Sequence, residues 1–338
     1  MSQERARNVL VTGGAGYIGS HAVLALIEAG YSLVVIDDLS TGVRELVPAG
    51  VPLIVGDVAD PSLVDEVISG HGCGTVMHFA GSIVVDESVK NPLKYYRNNT
   101  GASRTLIECC LRSGISSFVF SSTAVVYGDS KTIPIPETAP TEPVNPYGTS
   151  KLMTEWMLRD VAHASDLRYC VLRYFNVAGA DPKGRSGQSG PDSTHLIRIA
   201  SQLVAGKRDG ISIFGTDYTT PDGTCIRDYV HVSDLADAHV LALAHLGRHR
   251  KNLVVNCGYG RGFSVREVLG AIEKLAGRKI AVTEGPRRAG DVPMLVSDSS
   301  RLRGLGWTPR FDDLETIIKS AIYWEAAVDT DRRGAETS

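Results

Sequence analysis

Val9-Leu-Val-Thr-Gly13-Gly14-Ala15-Gly16-Tyr17-Ile18-Gly19 sets a glycine-rich turn directly after a short apolar run and before a stretch with helical spacing. Gly13 permits a sharp turn, Gly16 lets backbone approach a ligand, and Gly19 lets the next helix pack close to the strand. The free N–H groups and positive dipole end of that helix then face whatever the turn cradles, which suits a diphosphate. A glycine cluster alone is also what an ordinary tight turn looks like. Context decides: a strand before, a helix after, and two carboxylates, Asp37 and Asp38, about 20 residues further on.

That pattern reads as a dinucleotide site. Asp37, ending the second apolar run, is placed to hydrogen-bond the adenosine ribose hydroxyls and would repel a 2′-phosphate, so NAD is favoured over NADP. Asp38 reads equally well as part of a solvated turn. Asp57 and Val58 follow the third apolar run, where a carboxylate meets an adenine amine or caps the helix that begins near Pro61.

Working outward, residues 8–12, 32–37, 52–55, 75–79, 118–121 and 169–172 read as strands, their apolar residues continuous rather than alternating. Helical segments are expected at 17–29, 61–68, about 92–113 and 147–164. Such alternation predicts an α/β fold, a doubly wound parallel sheet of Rossmann type. After Asn176 the texture changes: residues 179–192 are rich in Gly, Pro, Asp and Ser, an excursion out of the sheet. A helix from about Ser193, a strand at 211–214, a polar loop to Arg227, a helix at 233–245 and a strand at 252–257 follow, the last returning to the first sheet. Ser264-Val-Arg-Glu267 is a capping box, and Leu314, Ile317, Ile318, Ala321 and Ile322 form one helical stripe. The expected division is 1–176 plus about 232–258 for the dinucleotide and 177–231 plus about 259–328 for a smaller α/β substrate lobe, with 329–338 a disordered tail.

The 338 residues are enough to bury a sizeable core without disulfides or a structural metal. A formal net charge of -3 gives no electrostatic reason to expect nucleic acid or a membrane surface as partner. No apolar run approaches the roughly 20 residues of a membrane span, and the opening Met-Ser-Gln-Glu-Arg-Ala-Arg leads straight into a strand pattern with no signal-like region. The six cysteines lack metal-ligand spacing and read as reduced, which fits a cytoplasmic enzyme.

Tyr147-Gly-Thr-Ser-Lys151 carries the chemistry. Spacing of four on a helix puts both side chains on one face, one turn apart. A phenol is a poor base at neutral pH, but a nearby ammonium and a positively charged nicotinamide both stabilise phenolate. Tyr147 could then take a hydroxyl proton while the adjacent C–H gives hydride to NAD. Alone, Tyr-x-x-x-Lys usually marks a surface helix face. Behind a dinucleotide turn, with Ser121-Ser122-Thr123 ending the preceding strand, it reads as catalytic, and Thr123 would hydrogen-bond the reacting oxygen.

These elements together resemble the extended short-chain dehydrogenase/reductase family: residues 12–19, His78-Phe-Ala-Gly81, Tyr127-Gly128 and Tyr147-x-x-x-Lys151. Within it the likeness narrows to the UDP-glucose 4-epimerases. The narrowing strings are Asn91-Pro-Leu-Lys-Tyr-Tyr-Arg-Asn-Asn99, Leu172-Arg-Tyr-Phe-Asn176, Phe214-Gly-Thr-Asp-Tyr218, Asp222-Gly-Thr-Cys-Ile-Arg-Asp-Tyr-Val-His231 and Arg287-Arg-Ala-Gly-Asp291. The resemblance spans about residues 8–325. It implies inversion of C4 of a UDP-hexose through a 4-keto sugar. It adds NAD contacts at Tyr17, Ile18, Phe79, Ala80, Gly81, Asn98, Lys151 and Phe175 to those read from the turn. It also implies that Asn176, His195, Leu196, Phe214, Arg227, Tyr229, Arg288, Asp291 and Leu295 line the UDP-sugar site, and a homodimer pairing through the helices at 92–113 and 147–164. Two arginines suit a diphosphate, and a carboxylate suits ribose hydroxyls.

Four positions depart from the commonest pattern of that family: Thr123 for Ser, Ile83 for Lys, His195 for Asn, and Leu295 where Tyr and small residues alternate. A 4,6-dehydratase would carry Asp-Glu after Thr123, but Ala124 and Val125 stand there and cannot move protons. A UDP-uronate epimerase or decarboxylase is the alternative reading within the family. A redox-sensing NAD-binding module is the non-enzyme one, which the intact Tyr147 and Lys151 disfavour.

Overall fold

The computed structural model describes residues 7–190 and 194–336, with side chains described as far as 327. The chain opens with β1 (Asn8–Thr12), α1 (Tyr17–Glu28), β2 (Ser32–Asp37), β3 (Leu53–Val55), α2 (Pro61–Gly70) and β4 (Thr75–His78). Helices α3 (Val85–Lys90) and α4 (Pro92–Tyr95), a π-turn at Tyr96–Gly101, α5 (Ala102–Arg112), β5 (Ser117–Thr123), a 3₁₀ turn at Ala124–Tyr127, α6 (Pro146–Ala164) and β6 (Arg168–Tyr174) follow. The second half holds β7 (Asn176–Ala178), α7 (Leu196–Val204), β8 (Ile211–Phe214), β9 (Ile226–His231), α8 (Val232–His249) and β10 (Leu253–Cys257). It ends with β11 (Gly262–Ser264), α9 (Val265–Ala276), β12 (Val282–Gly285), β13 (Met294–Leu295), α10 (Ser300–Gly304) and α11 (Leu314–Glu336).

Seven strands form one sheet in the order β3-β2-β1-β4-β5-β6-β10, every pair parallel. Alternate residues of β1 feed two cores. Val9 and Val11 pack with Leu26, Leu235 and Leu246 under α1 and α8. Leu10 packs with Val64, Leu106 and Leu158 under α2, α5 and α6. Burial on both faces is why these strands read as unbroken apolar runs. Strand order reverses between β1 and β4, so the loops leaving them flank a crevice at the carboxyl edge. They touch: a Cβ on Gly13 would stand 2.6 Å from the Ala80 nitrogen.

The rest of the chain builds a smaller lobe from β7, β9, β11 and β13, with the β8–β12 pair beside them. Ile197, Ile213, Val268, Ile272 and Ile317 join α7, α9 and α11 around its core. The capping box at Ser264 and Glu267 is formed in both directions. The stripe from Leu314 to Ala321 is buried.

The strands at 8–12, 32–37 and 211–214 coincide with expectation, and 252–257 does return to the first sheet beside β6. Elsewhere the structure departs from expectation. The helix expected at 92–113 is three pieces, because the π-turn widens it where Asn98 and Asn99 stand. Strand β9 went unread because Arg227, Asp228 and His231 break its apolar signal, although Asp228 and His231 are buried. The helix expected from Ser193 starts at Leu196, and Ser193 itself lies outside the described residues. Helix α11 continues to Glu336, into the segment read as a tail, while 337–338 lie outside the described residues.

Candidate active site

At the crevice, Gly13 has φ 71°, a conformation that glycine adopts freely. A Cβ on Gly19 would lie 2.0 Å from the Gly13 oxygen, so α1 can pack this closely only with glycine there. A Cβ on Gly16 would meet Gly13 O alone, at 3.2 Å, and no side chain caps the helix that begins after it. The first amides of α1, at Tyr17, Ile18 and Gly19, thus head a turn with room before it. These features fit the pyrophosphate of a dinucleotide.

Asp37 is buried, and its two oxygens accept from Ala15 N and Leu39 N, both at 2.9 Å, bracing the turn. Burial raises its carboxyl above the usual range. Asp38 is exposed and closes its own turn with the Ser40 amide and hydroxyl. Asp57 accepts from Ala59 N, whereas Asp60 caps α2 through Ser62 N and Leu63 N. The helix-cap alternative for Asp57 therefore belongs to Asp60. Val58 is buried in the apolar cluster beneath it.

Across the crevice, Tyr147 and Lys151 stand one turn apart on α6, 5% and 3% exposed. Thr123 stands beside the Tyr147 hydroxyl and favours its ionisation, and its own oxygen accepts from Val125 N at 3.2 Å. Lys151 Nζ donates to Ser121 O at 3.1 Å and lies over the Phe120 ring. Burial lowers the Lys151 ammonium to about 8, with Glu155 pulling the other way. Burial also pushes the Tyr147 phenol up, Tyr174 adds to that, and Thr123 is what pulls it down. The ammonium engages Ser121 O one turn from the phenol, and the expected lowering of Tyr147 by Lys151 is not found in the protein alone, where burial raises the phenol. Gly81 borders the same space: its Cβ would lie 3.8 Å from Lys151 Nζ and 2.8 Å from Asn99 Oδ1. Asn98 donates to Ser82 Oγ, and Asn99 grips Ser82 N, Ser82 O and Ser150 Oγ. Phe79 packs against His239.

The small lobe brings together two further groups. Asn176, His195 and Leu196 line one small cavity with Gln188 and Trp324. His195 Nδ1 is 2.6 Å from Gln188 Nε2, and burial lowers its ring to about 4. Arg227 and Asp291 approach to 3.7 Å, and β13 sets Leu295 opposite Arg227. Arg288 stacks on Phe214, 3.9 Å from the ring centre, and Arg287 on Tyr218. Leu295 is buried with Ala124, Val126, Leu152, Phe175 and Val292, which joins it to the Thr123 end of β5. Tyr229 packs into the lobe's own core, and Ile83 is exposed. Sequence reasoning missed Tyr95, edge-on to the Tyr147 ring, and the buried Glu155–Arg173 pair under Lys151. A signal existed for Glu155, which continues the Tyr147–Lys151 spacing by one more turn.

A switch-point cradle beside a buried Tyr–Lys pair defines an NAD-linked enzyme of the short-chain dehydrogenase/reductase type. Residues 9–258 match the NAD dependent epimerase/dehydratase family, and the chain belongs to it. A UDP-glucose 4-epimerase from Azospirillum brasilense is 59% identical, covering 95% of this chain and 92% of its own length. Among solved structures, UDP-glucose 4-epimerase from Brucella ovis in complex with NAD is 45% identical, with TM-score 0.90 over 94% of this chain and 98% of that one. The enzyme from Bifidobacterium longum, in complex with NAD+ and UDP, is 36% identical with TM-score 0.91, covering 95% and 98%.

Proposed function

We propose that the chain interconverts UDP-glucose and UDP-galactose by inverting C4 of the hexose, with NAD as a resident cofactor. The observation that carries this is the Tyr147–Lys151 pair, buried against Thr123 directly beside the glycine turn. NAD, when bound, accepts the C4 hydride and returns it. Gly13, Gly16, Gly19 and the first amides of α1 would hold its pyrophosphate, and Asp37 its adenosine ribose. Asp38, Asp57, Val58, Phe79, Ala80, Gly81, Asn98 and Phe175 would complete the cofactor's surroundings.

Tyr147 takes the O4 proton, with Thr123 orienting the same oxygen and Lys151 supplying positive charge. Arg227 and Arg288 grip the diphosphate, Asp291 and Phe214 the uridine side, and Asn176, His195, Leu196 and Tyr229 complete the wall. Toward the hexose, Ala124, Phe175 and Leu295 offer apolar surface, which lets a 4-keto sugar turn over before Tyr147 returns the proton. Tight grip on the nucleotide with loose grip on the sugar is differential use of binding energy. The two lobes divide as 1–176 plus about 232–258 and 177–231 plus about 259–328.

Incubation with UDP-galactose, UDP-glucuronate and UDP-N-acetylgalactosamine, without added NAD, tests the assignment. UDP-glucose from UDP-galactose is the expected product; turnover of the uronate alone would move the assignment to the alternative within the family.

A homodimer through α4, α5 and α6 is part of the same reading. Leu93 is 76% exposed, Leu111 and Trp156 are exposed on the other two helices, and Val89 is exposed on α3, which packs against α4 and α6. Light scattering on the wild type and Leu93→Glu tests it. Among the described residues no helix is long and apolar enough to cross a membrane. All six cysteines are buried and none forms a disulfide, which supports a reducing, cytoplasmic setting.

A further inference from the structure

Helix α6 meets the end of β5 rung by rung. Tyr147 stands beside Thr123, Lys151 Nζ bonds Ser121 O at 3.1 Å, and Glu155 Oε1 accepts from Ser122 Oγ at 2.5 Å. Glu155 lies one turn beyond Lys151 on the same face. Its side chain is 6% exposed and ion-paired to Arg173 of β6, with Nη2–Oε2 at 2.6 Å and Nε 3.1 Å from both oxygens. Arg173 also donates to the Tyr127 hydroxyl at 3.0 Å, and that hydroxyl donates to Asn256 of β10 at 2.7 Å. The network therefore ties the catalytic helix to three strands and to the turn that follows Thr123.

A buried ion pair is weak evidence for stability, because apolar residues commonly fill such space at lower desolvation cost. A different role is indicated by its place on the catalytic face. We propose that Glu155 is a positioning residue for the proposed epimerisation: held by Ser122 and Arg173, it fixes the register of α6 on β5 and keeps the Lys151 amine charged beneath Tyr147. The inference rests on the functional reading above.

The charge environment of Lys151 supports it. Burial works against the ammonium, and Glu155 is the group that works for it. The other titratable groups around the helix offer no substitute. His78 from β4 is lowered to about 3 and stays neutral, Tyr147 and Tyr174 are pushed up by burial, and Tyr95 from α4 is engaged with Val84 and Glu87. Arg173, the neighbouring cation, is paired to Glu155 itself.

The test follows the Lys151 amine directly in the NAD-loaded protein, by NMR of [ε-13C]lysine, with Lys151→Arg to assign its resonance. Glu155→Gln should move that titration to lower pH, since the negative charge favouring the ammonium is gone. The alkaline limb of kcat on UDP-galactose should move in parallel, with kcat reduced by up to about 10²-fold and KM changed little. Should Glu155→Gln fail to fold, Glu155→Gln/Arg173→Met removes both charges and leaves none orphaned, and a smaller shift in the same direction is expected, because the lost arginine charge offsets part of the lost carboxylate. Glu155→Asp should keep the Lys151 titration near its wild-type position while lowering kcat. An unmoved Lys151 titration in Glu155→Gln, or in the double variant where Glu155→Gln does not fold, overturns the proposal. A moved titration in a protein that turns over no UDP-sugar would uphold this inference and overturn the functional reading instead.

Discussion

The Tyr17 hydroxyl donates to the Gly179 carbonyl at 2.6 Å. Tyr17 opens α1, whose amide end heads the glycine turn, and Gly179 directly follows β7, which carries Asn176. Ser20 Oγ adds a 2.7 Å contact to Ser186 Oγ from the next turn of the helix. The cofactor turn and the segment entering the small lobe are thereby tied at their nearest approach. Tyr17→Phe keeps the ring and deletes the bond, at a cost of about 1–3 kcal/mol for the acceptor left behind. Each kcal/mol should lower Tm by about 2–4 °C. The variant should also lose NAD more readily on gel filtration, with turnover restored by excess NAD. Unchanged Tm and NAD content would mean the bond couples nothing.

Tyr147→Phe should leave fold and NAD binding intact and reduce kcat by at least about 10²-fold, the lower end for general acid–base catalysis. Its ring packs edge-on to Tyr95 and is retained, so only the proton-carrying oxygen is lost. Near-normal turnover would remove Tyr147 from the mechanism.

Asp37→Ala should weaken NAD binding and narrow the preference over NADP, since it removes both the ribose acceptor and the charge facing a 2′-phosphate. Because Asp37 also accepts from Ala15 N and Leu39 N, part of the loss should come from a looser turn. Asp37→Asn separates the two effects by retaining one acceptor without the charge. Competitive titration of the two cofactors reads both; an unchanged preference in both variants would make Asp37 a turn residue only.

Four buried histidines and the half-buried His195 set an acid limit on stability. Burial lowers His78 and His231 from 6.5 to about 3, and His21, His195 and His239 to about 4. Between those values and 6.5 the unfolded chain binds protons that the folded protein does not, so stability rises with pH across that window and is lost on acidification below 6.5. His78 bridges Thr12 and Ser103 in the core. His78→Gln should flatten the dependence by about 1.4 kcal/mol per pH unit, read from urea midpoints between neutral and acid pH. An identical slope in the variant would place the acid sensitivity elsewhere.

What the sequence made legible was whatever rests on local geometry or on unbroken apolar runs. Gly13, Gly16 and Gly19 announced the turn because their lack of a side chain is the physical requirement, and Tyr147 with Lys151 announced a helix face by spacing alone. What stayed hidden depends on contacts between distant segments. Strand β9 carries Asp228, whose carboxylate accepts from Tyr259 N, Gly260 N and Ser297, and partners so far along the chain leave no local pattern. Of the Glu155–Arg173 pair, Glu155 left a trace in the Tyr147–Lys151 spacing, but Arg173 on its strand looks like a solvated residue until the fold buries the two together. Asp57 reads from sequence as a cap of the helix near Pro61, but the folded backbone gives that place to Asp60, three residues on, which the sequence reading did not consider.

Leu295 is the position where the family resemblance helps least and the structure helps most. It is 5% exposed on β13, opposite Arg227, and packs in one cluster with Ala124 and Phe175. Ala124 adjoins Thr123, and Phe175 adjoins Asn176, so in the proposed site this side chain would form the wall between the catalytic end and the nucleotide grip. A Tyr there has no free volume in the cluster and must turn its ring toward the hexose, where it would meet a 2-acetamido group. A Ser gives up three carbons' worth of packing and opens that side. Leu, intermediate in volume and without a hydroxyl, should favour unmodified hexoses and leave weak activity on N-acetylhexosamines. Leu295→Ser should raise the kcat/KM ratio of UDP-N-acetylglucosamine to UDP-glucose, and Leu295→Tyr should lower it while sparing UDP-glucose. Pocket-filling differences of this kind are worth about 1–3 kcal/mol, so the ratio should move by roughly 10- to 100-fold. Leu295→Ser should also lose about 2–5 kcal/mol of stability to the cavity, so both variants are compared below their own unfolding transitions. A ratio that moves with neither substitution would mean that Leu295 faces only the protein core and never the sugar.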